Sequence, residues 1–310
     1  MIILKEKINM SDIFFQTGLF LLYIFIGYFL KKIKLLKKED SQVLATIIMN
    51  ITLPCLFFSS GNGLKLDSEF LIFMFLGCLA NVLLMMIGFF ISYKENPLIR
   101  GTYMIACSGY DVGNFILPFI SVFFPGLGVM YLCSFNITNV IISMGITYAV
   151  ASYYVYHHTQ MGIKVFLKNL FSSVSFDVYI LIIIIACFHL TVPEMIIKVT
   201  SSIGSVNSFL VMMMIGLKLE LHIQKSQVNQ LIQILGTRFL GAIILSIITF
   251  LFPIPTLAKY ILTITYFAPL VSVSSVYTKK LGYKGDVVVD ANLISIIISM
   301  FMTTVILLLM

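Results

Sequence analysis

Residues 101–124 read GTYMIACSGYDVGNFILPFISVFF. The run is apolar and, at about 1.5 Å per helical residue, long enough to cross a hydrocarbon core of about 30 Å. Its middle carries what a simple anchor avoids: Gly109, Asp111, Gly113, Asn114 and Pro118. Proline removes a backbone donor and glycine loosens a helix, so the backbone is expected to open near mid-membrane. Irregular backbone at that depth is tolerated only when it is buried in protein or lines a cavity. An acid there marks a functional site by default. The stretch therefore reads as a discontinuous helix at a solute site.

The rest of the chain fits that reading. Of 310 residues, 60% are hydrophobic and 11% charged, against about 25% charged in soluble domains. This is the composition of an all-α polytopic membrane protein. The net charge of +7 does not indicate nucleic acid, because the basic residues sit in short loops between apolar runs. Cys55, Cys78, Cys107, Cys133 and Cys187 all lie inside apolar runs with no CxxC or Cys/His cluster, so neither a disulfide frame nor a zinc site is expected. His157, His158, His189 and His222 have no partner at metal-ligand spacing, and Met212, Met213 and Met214 read as adaptable packing.

A polar lead, residues 1–11, contains Lys5 and Lys7, and Met10 is a second candidate start. Ten apolar spans follow, at roughly 12–30, 41–60, 69–92, 101–124, 128–156, 176–192, 196–217, 229–252, 256–278 and 286–309. The first lacks the small-residue cleavage site of a signal peptide. Fourteen of the twenty Lys and Arg residues fall in loops after odd-numbered spans, beginning with Lys31, Lys32, Lys34, Lys37 and Lys38. Lys218 and Lys225 are counted in the loop after span seven, and Arg238 lies within span eight. The positive-inside rule then places both termini outside.

Ten spans divide into two five-helix repeats, residues 12–157 and 176–310, joined by a cytoplasmic link over 158–175. Tandem halves with an odd number of spans have opposite orientation, the inverted-repeat plan of many secondary transporters. Pro118 and Pro269 both fall inside the fourth span of their half, and Pro269 opens a polar run with Ser272, Ser274 and Ser275. Crossing broken helices bring free N–H groups and carbonyls together, so an anion can bind at N-terminal ends without a buried cation. Asp111 reads either as a proton- or cation-coupling carboxylate or as one satisfied by the opened backbone. Asn114 reads as a site donor or a packing amide. Asn136 and Asn139, three apart on one helix face, either line the site or bond a neighbouring helix. Asn50 and Pro54 read as a kink, and Asp290 as a residue of the wet interface.

These residues resemble the auxin efflux carrier family of membrane transporters. NITLPCLFFSS (50–60) is similar to its LPxLLF element, GNFILPF (113–119) to GFLGLP, IGLKLEL (215–221) to LGLSL, and FAPLVSVSSV (267–276) to APVA with the small residues after it. The resemblance runs over essentially all ten spans. It implies a ten-helix inverted repeat with spans four and nine crossing at the solute site, similar to bile acid:sodium symporters and sodium/proton antiporters. Bacterial members are typically malate or malonate permeases and plant members export indole-3-acetate. The resemblance thus implies a permease of small organic anions in a bacterial cytoplasmic membrane, with lipid and solute as partners and room for a homodimer. It also implies no cofactor beyond Na+ or H+ as coupling ion. By position, the family's span-four Asn falls on Asp111 and its aromatic after the glycine on Asn114, both departures. Gly113, Pro118, Asn139 and Pro269 match. A carboxylate disfavours a nearby anion unless it is protonated or paired, which brings ion coupling into the expectation.

Two other functions compete. A sodium- or proton-coupled cation antiporter without organic solute shares the architecture. An intramembrane aspartyl protease would pair Asp111 with Asp286, but its GxGD signature needs glycine where Tyr283 stands. The non-enzymatic readings are preferred.

Overall fold

The computed structural model describes residues 10–63, 67–157, 174–220 and 225–310. The residues that start the chain, most of the 158–175 link, and Lys65, His158 and His222 lie outside that set. The described chain is all-helical: α1 (Met10–Lys32), α2 (Lys38–Ser60), α3 (Ser68–Ile91), α4 (Pro97–Cys107), α5 (Val112–Phe123), α6 (residues 127–156), α7 (Val174–Cys187), α8 (Glu194–Lys218), α9 (Val228–Leu251), α10 (Thr256–Tyr266), α11 (Val273–Lys280) and α12 (Val287–Leu308). Among the described residues, six helices are long and apolar enough to cross a membrane: α1, α2, α3, α8, α9 and α12. Their outer faces carry bare aromatics such as Phe15, Phe75 and Phe301, the surface expected against lipid.

Close packing replaces the hydrophobic effect as the glue between such helices. Gly27 of α1 and Gly216 of α8 face each other's backbones. A Cβ at Gly27 would stand 2.1 Å from the Met213 carbonyl oxygen, and one at Gly216 would stand 2.0 Å from that of Ile24. α1 therefore lies against the second half of α8 at a separation only glycine permits. α3 packs along α6 and α4, α9 along α10, and α11 beside α4.

Two prolines are accommodated in the same way. Asn50-Ile51-Thr52-Leu53-Pro54 and Asn114-Phe115-Ile116-Leu117-Pro118 share the pattern N-x-x-L-P, and each proline follows a π-helical turn, Ile48–Thr52 and Val112–Ile116. The wider turn makes room for the ring and the missing donor. Asn50 is exposed and bonds back to the Thr46 carbonyl at 2.8 Å, and span two stays helical through Pro54 without opening.

The true interruptions lie elsewhere. α4 stops at Cys107 and α10 at Tyr266, and the chain runs without helical turns through Ser108–Asp111 and Ala268–Val271. Tyr110 and Leu270 form an antiparallel bridge, and the Asp111 N–H donates to the Pro269 carbonyl at 2.9 Å. Gly109 has φ +83, and a Cβ there would stand 2.5 Å from Val271 Cγ1. Only glycine meets both conditions. The break thus falls at Ser108–Asp111 rather than at Pro118, which lies in the first turn of the helix Leu117–Phe123.

Candidate functional site

Opened backbone inside a membrane must find partners within the protein. Here each strand of the crossing is served by the second helix after it in sequence, α6 for one and α12 for the other. The Asn139 amide of α6 works like a peptide group. Its Oδ1 accepts from the Tyr110 N–H at 3.0 Å and its Nδ2 donates to the Tyr110 carbonyl at 2.8 Å. On the other strand, the Leu270 N–H donates to Ser295 Oγ of α12 at 3.0 Å, and Asn292 Nδ2 donates to the Leu270 carbonyl. Asn81 of α3 accepts the Gly109 N–H at 2.9 Å.

The carbonyl-rich ends are gathered by one cation. Arg238, 3% exposed on α9, donates from Nη1 to the carbonyls of Cys107 and Gly109, both at 2.8 Å, and from Nη2 to that of Ala268 at 3.2 Å. Its guanidinium lies 5.1 Å from the Tyr110 ring centroid. One fork therefore neutralises the negative ends of both α4 and α10.

Asp111 follows Tyr110 on the same strand. Its Oδ1 accepts from Asn114 Nδ2 at 2.9 Å and its Oδ2 from Ser272 Oγ at 2.8 Å, and the Ser272 N–H also faces the carboxylate. The side chain is thus tethered at the entry to α11 by two side-chain donors. Beside it lies a cavity of about 20 Å³, room for one water-sized sphere, lined by Asp111, Asn114, Phe115, Met214, Ile215, Lys218, Ser272, Asn292, Leu293 and Ile296. The Asn114 Oδ1 at its wall is buried and accepts no hydrogen bond from the described residues. A second cavity, of about 200 Å³, lies at the far end of the bundle between Gly63, Phe70, Leu127 and Ser134.

The expected site residues divide. Asp111, Asn114 and Ser272 meet at the cavity, and Pro269 holds the crossing through its carbonyl. Gly113 faces Leu53 on the outer side of the π turn, and Pro118 is buried beyond it. Asn136 donates to the Tyr179 hydroxyl at 2.8 Å and accepts from Asn139 at 2.9 Å, away from the cavity. Ser274 is buried and bonds the Ile105 carbonyl at 3.2 Å, fastening α11 to α4.

Two readings are corrected. Lys218, counted as a loop cation, is the half-buried last residue of α8 and lines the cavity with Asp111. Asp290, expected in the wet interface, is 3% exposed in the first turn of α12. Asn81, Asn292 and Ser295 did not stand out from sequence. Their only signal was polarity inside otherwise apolar spans.

No protein-family model matches this chain, and no curated protein matches it.

Proposed function

We propose that the chain is a secondary transporter that moves a small organic anion, a carboxylate, across the membrane by alternating access. One observation carries the reading: two interrupted helices cross at Tyr110 and Leu270, and a small cavity with Asp111 and Lys218 in its otherwise largely apolar wall lies against the crossing. In a lipid-embedded protein, broken helices in corresponding positions mark the solute path. We read the architecture as ten spans in two inverted halves. The support is that α4/α5 and α10/α11 are interrupted alike, and that the next helix of each half, α6 or α12, supplies the side chains that satisfy the exposed backbone. The same features favour the auxin efflux carrier family, with Lys31, Lys38 and their neighbours at the cytoplasmic end and both termini outside.

The second reading is a sodium- or proton-coupled cation antiporter, favoured by a cavity that has room for an ion rather than for a dicarboxylate. The aspartyl protease would need a second carboxylate beside Asp111. Asp286 instead pairs with Lys279 at 3.5 Å and is half exposed. Purified protein in liposomes, offered labelled mono- and dicarboxylates with sodium and proton gradients in turn, decides between the transport readings. Saturable carboxylate uptake supports the anion carrier. Cation exchange with no carboxylate flux contradicts it.

A further inference from the structure

The cavity holds two opposite charges that do not touch. Asp111 and Lys218 both line it, yet no ion pair within 4.0 Å joins them among the described residues. Asp111 is held instead by Ser272 and Asn114. Lys218 has no hydrogen-bond acceptor among the described residues, although two carboxylate-binding lysines at the same end of the bundle do: Lys31 and Lys38 bond Glu220 at 3.1 and 2.7 Å. A half-buried ammonium without an anion, in one cavity wall with a carboxylate that already has other donors, is a place prepared for a second carboxylate.

Resting on the anion-carrier reading, we infer that Lys218 is the counter-ion of the transported carboxylate, that Asp111 carries the coupled proton, and that the carrier moves one proton with one monocarboxylate. With Arg238 set against the negative ends of α4 and α10, whose carbonyls it holds, the remaining charges of the cavity favour the coupling. With no solute, ionised Asp111 and Lys218 sum to zero. With the solute anion on Lys218 and a proton on Asp111, the sum is again zero. The two mixed states carry −1 or +1 into a low-dielectric centre and are disfavoured there. The proton taken up from one side sits on a carboxylate oxygen of Asp111 and leaves on the other side, and no covalent bond to the solute forms or breaks. The charged groups that face Asp111 are Lys218 from α8 and Arg238 from α9. Arg238 is occupied by three carbonyls and keeps its charge through the cycle. The 20 Å³ cavity is then the closed, solute-free form in which the two charges balance across a gap.

The test uses the full chain in liposomes with labelled pyruvate as the monoanion, malonate as the dianion, and protein-free vesicles for passive leak. An imposed proton gradient is expected to accumulate pyruvate about tenfold per pH unit, since one unit is a factor of ten in proton activity. A potassium diffusion potential is expected to leave pyruvate uptake unchanged and to alter any malonate uptake. Asp111→Asn is expected to lose gradient-driven accumulation, and whatever pyruvate–pyruvate exchange it retains is expected no longer to vary with pH. Lys218→Met is expected to lose both accumulation and exchange, with Lys218→Arg restoring them. Pyruvate flux that ignores the pH gradient, or accumulation that persists in Asp111→Asn, overturns this inference and leaves the carrier reading standing. No flux of any carboxylate overturns both.

Discussion

Replacing Arg238 by methionine probes the crossing directly. Methionine keeps most of the volume and removes three donors, leaving the carbonyls of Cys107, Gly109 and Ala268 buried and without this partner. Hydrogen bonds between membrane helices average only about 0.6 kcal/mol, which sets a floor of about 2 kcal/mol for three. Bonds to a charged group are worth about 1.5–3 kcal/mol each in soluble proteins. Against that stands relief from keeping a guanidinium 3% exposed in a low-dielectric interior. The balance lies at about 2–5 kcal/mol of lost stability, a large share of the roughly 5–15 kcal/mol typical of a folded chain. Equilibrium unfolding in mixed micelles measures it. Arg238→Lys should recover part of the loss, because an ammonium cannot span two carbonyls on one strand and a third on the other. A loss below about 1 kcal/mol for Arg238→Met would refute the reasoning that this side chain holds both breaks.

Other perturbations have equally definite outcomes. Gly109→Ala combines a positive φ, costing about 1–2 kcal/mol for a residue with a Cβ, with a contact 2.5 Å from Val271. Its thermal midpoint should fall clearly, and an unchanged midpoint would show that the strand is not held as described. Gly27→Leu should separate α1 from α8 and abolish monodisperse protein in detergent, whereas Gly18→Leu on the same helix, with nothing within 4 Å, should be silent. Glu220 is hydrogen-bonded by Lys38 and Lys31, which hold its carboxyl below the ordinary 4.5. A depressed carboxyl stabilises above its unfolded value and loses that contribution as pH falls through its folded value. The cluster is partly exposed, so stability measured from pH 6 down to 3 should show a small, salt-sensitive loss that Glu220→Gln removes.

Much of this arrangement is written locally. Gly109 and the polar run after Pro269 announce interruptions because composition alone makes a continuous apolar helix poor there. Pro118 misleads as the point of rupture, since a π turn absorbs a proline without opening the helix, as the matching N-x-x-L-P around Pro54 also shows. The supporting side chains are a tertiary property. Asn139 has the same local sequence character as Asn136, yet one clamps the Tyr110 backbone and the other reaches Tyr179. Lys218 was unreadable for a different reason. Charge counting assigns a lysine at a span end to the loop, and only the packing of α8 shows that it lines one cavity with Asp111. Asp290 went the same way, because burial at a span's first turn depends on what packs over it.

The pairing of the two opened strands is the claim from which the cavity, its charges and the transport reading all follow. Opposed residues in an antiparallel pair have Cβ atoms about 4.5–5.5 Å apart, close to the spacing a disulfide needs. With the five native cysteines replaced, Tyr110→Cys combined with Leu270→Cys should oxidise within one chain. A protease site placed in the 158–173 link should then yield halves that stay joined until reduced. Halves that separate without reductant, from protein that remains folded and monodisperse, would contradict the account.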